Sequence, residues 1–175
     1  MIGFNKNGVI NDDKSEKITL AEFRSCCIDN NVDQEQRNLM FDQFISLWES
    51  SKLEDVRPFV TSIWIDGSFT EKKHDPDDID IVMLVSPSPE KVVEIKESIE
   101  ILTDDRDKIK KITKAHLLCA FDVPNIDFSK YDNQFNEQKN NMSELYYSFQ
   151  DLFSKNRETI NKSLIVLEVK GGKLL

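Results

Sequence analysis

Apolar residues concentrate in four short runs, around Val60, Asp80, Leu118 and Ile165. Each run has about the length of a strand and is rich in β-branched or aromatic residues. Between the runs, apolar residues recur three or four positions apart, which indicates helices with one buried face. The pattern predicts an α/β, or loosely α+β, fold in which a small mixed sheet is flanked by helices.

Four helices are predicted from capping signals and apolar spacing. Thr19-Leu20-Ala21-Glu22 has the spacing of a capping box, and Asp33-Gln34-Glu35-Gln36 repeats that spacing before a longer helix. Ser88-Pro89 has the order expected at a third helix start. The predicted helices cover residues 20–28, 34–51, 89–102 and 143–155. The charged residues 103–114 either continue the third helix or form a loop.

The second predicted helix carries Phe44 and Trp48 at apolar spacing. Such a stripe is expected to pack on the sheet, and stacking on nucleic-acid bases is the minor alternative. The length of 175 residues suits a single domain. We divide it into an N-terminal hairpin and loop (1–17), a helical lead-in (18–56), a core with the candidate site (57–123) and a C-terminal loop, helix and strand (124–175).

The composition narrows the range of partners. A formal charge of −9 argues against binding extended nucleic acid, which needs a clustered basic surface. The one basic cluster, Lys108 to Lys114, is either a local patch or a solvated helix face. No signal peptide and no apolar run of bilayer length is found, so no membrane association is expected. Three cysteines without metal or redox spacing predict reduced thiols in a cytoplasmic protein.

The candidate chemistry lies between two apolar runs. Asp78 and Asp80 are two positions apart, so a strand places both carboxylates on one face, roughly 6.5 to 7 Å apart. Such a pair repels unless a cation lies between, and carboxylate oxygens suit Mg²⁺. Upstream, Gly67 permits close approach of a ligand, and Ser68 adds a hydroxyl and an N–H. These residues predict a site for a metal and a nucleotide.

The polar connection between the turn and the acids offers further candidates. Lys72 and Lys73 either contact a triphosphate or are ordinary exposed lysines. His74 on the same connection is interpreted as a bystander rather than a general base.

Gly67-Ser68, nine intervening residues and Asp78-Ile79-Asp80-Ile81 resemble the signature of the DNA polymerase beta-type nucleotidyltransferase superfamily. Phe4 to Gly8, Thr19 to Phe23 and Leu164 to Val169 are similar to a small, stand-alone, poorly characterised bacterial branch of it. The resemblance implies a nucleotidyltransferase fold. It also implies transfer of NMP from an NTP to a protein, an RNA end or a small molecule, with Mg²⁺ or Mn²⁺ as the cofactor.

The resemblance further implies a third acid, flanked by apolar residues, on a later strand. Asp122 is the best match, and Asp127 shows the local pattern after Pro124. The implied metal and catalytic residues are Asp78, Asp80 and Asp122, and the implied phosphate-binding residues are Gly67 and Ser68.

Two other interpretations remain open. If Asp122 only caps a strand end, the chain is a catalytically inactive nucleotidyltransferase-fold module for binding or regulation. Because some small relatives act in toxin-antitoxin or phage-defence pairs, a protein partner is expected by analogy. The third interpretation is an interaction domain in which these motifs are incidental.

Overall fold

A mixed sheet forms the centre of the molecule. The computed structural model describes Phe4, Gly8, Ile10 and residues 16–29, 31–72, 75–155 and 162–175. Within these residues, the strands are β1 (Glu16–Ile18), β2 (Val60–Asp66), β3 (Ile79–Val85), β4 (Ala115–Phe121), β5 (Ile165–Lys170) and β6 (Lys173–Leu174). Their order is β1-β5-β2-β3-β4, and β6 pairs with β5. The predicted fold class, a small mixed sheet flanked by helices, is confirmed.

Strand directions differ along the sheet. β2 runs antiparallel to both β3 and β5, whereas β3 and β4 are parallel, as are β1 and β5. The helices are α1 (Leu20–Arg24), α2 (Gln34–Glu49), α3 (Val92–Asp104), α4 (Arg106–Thr113), α5 (Asn133–Asn136) and α6 (Lys139–Phe153), and a π-helix (Ser25–Asp29) extends α1. In the part of the chain described, no helix has the length and apolarity to cross a bilayer.

The sheet is covered on both faces. On one face, Ile63, Ile81 and their neighbours share a buried cluster with Phe44 and Trp48 of α2. Trp48 is therefore part of the core, and the base-stacking alternative is wrong. On the other face, Trp64 packs edge-on against Tyr146 of α6, with ring centroids 5.1 Å apart. Both faces of β2 and β3 are thus fixed by apolar packing.

The helix starts show where capping signals are reliable. The Thr19 capping box is confirmed, because the Glu22 N–H donates to Thr19 Oγ1 and Glu22 accepts from the Thr19 N–H. Asp33 precedes α2 but makes no capping bond, since its Oδ1 accepts from Arg37 instead. The prediction for Ser88 is wrong, because residues 88–91 form a turn and α3 begins at Val92.

Two other expectations are corrected, and one that was left open is decided. The predicted loop before residue 18 ends in β1, which has too few residues for a recognisable period and exists through its pairing with β5. The predicted surface connection over 125–141 contains α5, whose Phe135 is buried. For residues 103–114, where a continued helix and a loop were both open, the structure shows the end of α3 at Asp104 and a separate helix, α4 (Arg106–Thr113). Of the N-terminal hairpin, the described residues show a bridge between Phe4 and Ile10.

Arg37 holds the segment after β2 against α2. Its guanidinium is fully buried and donates to Asp33 Oδ1 at 2.9 Å and to the Cys27 carbonyl at 3.0 Å. It also donates to the carbonyls of Phe69 at 2.6 Å and Glu71 at 3.1 Å. The planar five-donor group of arginine suits several acceptors at once. Arg37 therefore fixes the backbone of residues 69–71, directly after the Gly67-Ser68 turn.

We expect Arg37→Met to lower the free energy of unfolding by about 3 to 5 kcal/mol, because buried acceptors lose their donor. The control is Arg106→Met, which removes a half-exposed arginine whose ion pair with Asp107 spans 3.9 Å and should change stability by at most about 1 kcal/mol. Urea unfolding of both variants tests this. Equal losses would contradict the role assigned to Arg37.

Candidate functional site

Strand register brings three polar side chains into one row. Asp66 at the end of β2 pairs with Asp80 near the start of β3, and Asp80 pairs with His116 on β4. Residues paired across neighbouring strands point to the same face of a sheet. Asp66, Asp80 and His116 therefore lie side by side at one end of the face that α6 covers elsewhere.

The Gly67-Ser68 turn adjoins this row. Gly67 has φ +78°, and a Cβ added there would lie 2.3 Å from Asp80 Oδ2. Only glycine leaves room for that carboxylate in this backbone conformation. Residues 68–70 form a 3₁₀ turn, in which the Thr70 N–H and hydroxyl donate to the Gly67 carbonyl at 3.2 and 3.1 Å. The turn and Asp80 are consequently parts of one site.

Asp78 and Asp80 contact different basic side chains. Asp78 Oδ2 lies 2.5 Å from Lys110 Nζ on α4. The Asp78 hydrogen bond is the main reason why the pKa of Lys110 lies above its ordinary value, and Asp80 contributes to the same shift. Asp80 Oδ1 lies 2.9 Å from His116 Nδ1, which leaves Oδ2 at the Gly67 turn. The two acids predicted as a pair are thus brought together, each with a basic neighbour.

Asp66 is the buried member of the row. Burial raises the pKa of its carboxyl to about 6, against the lowering effect of Lys162 and the Gly67 N–H. Lys162 is itself buried and forms ion pairs with Asp66 and, at 3.1 Å, with Glu71. A buried ammonium between two carboxylates joins the segment before β5 to both ends of the turn. It also compensates part of the negative charge beside Asp80.

Asp122 does not belong to this site, which corrects the sequence-based prediction. β4 runs parallel to β3, so Asp122 follows the far end of β4, six positions from His116. At the rise of a strand this is roughly 20 Å from the Asp80 row. Asp122 is buried there and accepts from Thr61 Oγ1 at 2.5 Å and Asn125 Nδ2 at 2.8 Å. It stabilises a strand end and the turn after it.

The lysines of the connection have separate positions. Lys72 is exposed, and its backbone N–H donates to the Gly8 carbonyl at 2.7 Å, so it joins the turn to the N-terminal segment. No contact between its side chain and the carboxylates is seen. Lys73 and His74 fall outside the described residues.

Four residues of this site were not predicted as members of it: Asp66, Lys110, His116 and Lys162. The sequence offers weak signals for two of them. His116 is a polar residue in an otherwise apolar strand, and Asp66 ends a run beside Gly67. Lys110 and Lys162 are 32 and 96 positions from their acidic partners, and only the fold brings them there.

The carboxylates of this site suit a divalent cation only if phosphate groups of a ligand complete its coordination. Among the residues that the structure describes, no group of three or more His, Cys, Asp or Glu side chains is arranged to hold a metal by itself. Mg²⁺, however, usually binds through one or two carboxylates and completes its shell with water and substrate phosphates. Asp78 and Asp80 supply that number, and the Asp80 carboxylate lies against Gly67. The arrangement suits a cation that arrives with a nucleotide.

Gly67→Ala should displace the Asp80 carboxylate, since its Cβ would overlap Oδ2. The control is Gly171→Ala, with a comparable φ of +56° but open space around the added Cβ. Both variants should lose about 1 to 3 kcal/mol through backbone strain. Only Gly67→Ala should shift the imidazole NMR signals of His116, and an unchanged His116 spectrum would contradict the contact.

Asp66 predicts a distinctive pH dependence of stability. Its pKa rises from 3.8 to about 6 on folding, so the folded protein binds more protons between these values. As pH rises from about 4 to 6, the unfolding free energy of wild type should fall relative to Asp66→Asn by up to about 3 kcal/mol.

The matched control is Asp127→Asn. Hydrogen bonds from Ser129 lower the pKa of the exposed Asp127, so wild type should gain stability relative to this variant as pH rises. Urea unfolding at several pH values measures both differences. A difference for Asp66 with the same sign as that for Asp127 would contradict the assigned burial.

The chain matches a protein-family model. The model of a family of unknown function, DUF6932, matches residues 2–168. No curated protein matches the chain significantly, and no solved structure does. The similarity to nucleotidyltransferases therefore stays a prediction. Because the match covers nearly the whole chain, the protein belongs to the DUF6932 family.

Proposed function

We propose that this protein binds a nucleoside triphosphate with Mg²⁺ or Mn²⁺ and transfers its NMP part to an acceptor. The observation that carries the proposal is the close approach of the Asp80 carboxylate to Gly67. The Gly67-Ser68 turn and Asp80, which are 12 or more positions apart in sequence, meet there. The resemblance of Gly67-Ser68 and Asp78 to Ile81 to the nucleotidyltransferase signature supports the same activity.

Each residue has a task in this proposal. The Gly67 backbone and the Ser68 N–H and hydroxyl hold the β- and γ-phosphates, because a turn without a side chain permits close approach. Asp78 and Asp80 would hold the cation, which neutralises charge on the phosphates and orients them. In the transfer, the acceptor hydroxyl oxygen bonds to the α-phosphorus, the bond to the bridging oxygen breaks and pyrophosphate leaves. The hydroxyl proton passes to a water molecule. Water has access to this site, because 28% of the Asp80 side chain is exposed.

The acceptor and the cellular setting are part of the proposal. A protein, an RNA end or a small molecule is favoured over an extended nucleic acid, because a chain of net charge −9 repels long phosphate backbones. The three cysteines are free and buried, which supports a cytoplasmic location. A protein partner of the toxin-antitoxin kind rests on family analogy alone.

A second candidate function is a nucleotide-binding module without turnover. The position of Asp122 favours it, since that acid is at the far end of β4 and holds Thr61 and Asn125. Asp66 is the other carboxylate beside Asp80, but Lys162 engages it. In this second function, the same turn and acids bind the nucleotide without transferring its NMP part. Nucleotide binding would then control which partner the protein binds.

Thermal unfolding with each of the four NTPs and Mg²⁺ or Mn²⁺ tests nucleotide binding. A nucleotide at about 100 times its Kd should stabilise wild type by about 2.7 kcal/mol. Asp80→Asn should lose this stabilisation. Asp122→Asn is the control, and it should keep the stabilisation because Asp122 is remote from the turn.

Transfer is tested with NTPs labelled at the α-phosphate in the presence of a cell lysate. Label on a macromolecule or small molecule, absent with Asp80→Asn, supports the transferase. Stabilisation without labelled product supports the binding module. If no NTP stabilises wild type, or if Asp80→Asn responds like wild type, the proposed site is wrong.

A further inference from the structure

In the described part of the chain, one lysine of helix α4, Lys110, contacts Asp78, and the other lysines near it do not contact the acidic pair. The Lys114 carbonyl at the end of α4 accepts from the Ile79 N–H at 2.9 Å, which fixes the helix end beside the first residue of β3. Ile109 is buried and anchors the same turn. Lys110, one turn before Lys114, is thereby held above Asp78, whereas Lys108 pairs with Asp105 and Lys111 is exposed. The basic cluster, for which a local patch and a solvated face were both open, is therefore one lysine beside Asp78 with solvated neighbours.

We propose that Lys110 occupies the cation position at Asp78 in the free protein and moves to the phosphates when a divalent cation binds. This inference rests on the proposed function and adds a residue that controls its affinity. The ammonium lies 2.5 Å from Asp78 Oδ2, so it neutralises charge on one of the acids that would hold the metal.

Competition for one oxygen forces the movement. An ammonium and a divalent cation cannot share Asp78 Oδ2 at hydrogen-bond distance, because the two positive charges repel strongly at such separations. The Lys110 side chain is 42% exposed and has a flexible stem, so it can leave the carboxylate without unpacking the core. Its helix keeps it beside the site, where the nucleotide phosphates are the nearest new anions.

Lys110 thus competes with the metal for Asp78 and also contacts the phosphates of the bound nucleotide. These two roles predict opposite effects of one substitution. Lys110→Met removes the competing charge, so Mn²⁺ alone should bind more tightly, by roughly threefold to tenfold. The same variant lacks the phosphate contact, so the Mn²⁺–NTP complex should bind more weakly, by roughly tenfold. Lys110→Arg should restore nucleotide binding, and Lys111→Met, on the exposed side of α4, removes an equal charge and should change neither affinity by more than about twofold.

Mn²⁺ affinity is measured by electron paramagnetic resonance, and nucleotide affinity by calorimetry at saturating Mn²⁺. Tighter metal binding with weaker nucleotide binding in Lys110→Met supports the inference. If wild type binds the Mn²⁺–NTP complex but Lys110→Met leaves metal affinity unchanged or lowers it, the inference is wrong and the proposed function stands. If wild type binds neither Mn²⁺ nor NTP, both are wrong.

Discussion

The register between β2 and β3 is the constraint on which the candidate site depends. It sets Asp66 opposite Asp80 and so brings the Asp80 carboxylate to the Gly67 turn. A slip by one residue would turn Asp80 to the other face and separate it from the turn. The apolar packing prevents such a slip, because Ile63 and Trp64 face different, fully formed clusters on the two sides of the sheet.

Local charge compensation is the second condition for the site. Three carboxylates crowd one end of the sheet. Lysines compensate two of them, Asp66 with Lys162 and Asp78 with Lys110, and Asp80 contacts the His116 imidazole. Buried carboxylates without such partners would be costly. These partners differ in mobility, however. Lys162 is buried and joins the segment before β5 to the turn after β2. Lys110 is half-exposed, so it can leave Asp78 when another cation binds there.

The sequence predicted those parts of the site that depend on short-range geometry. The strands β2 to β5, the Gly67-Ser68 turn and the Asp78/Asp80 pair follow from local composition and a two-residue period. Lys110 and Lys162 could not be found in this way, because their distances in sequence carry no information about contact. His116 needed the register of β4 against β3, which periodicity alone does not supply.

The Asp122 prediction failed for a reason that the sequence contains. Two helices, α3 and α4, connect β3 to β4, and such a crossover is typical of parallel strands. Asp80 near the start of β3 and Asp122 after the end of β4 must then lie at opposite ends of the sheet. An antiparallel β4 would have placed them together. Sequence motifs for a site therefore need to be checked against strand direction.

Crystallography of the protein with Mn²⁺ and a non-hydrolysable NTP analogue tests the central claim most directly. The account predicts an anomalous Mn²⁺ peak bound by the Asp78 and Asp80 carboxylates, with phosphates at the Gly67-Ser68 turn. A peak at Asp122, or a nucleotide bound away from the turn, would contradict it.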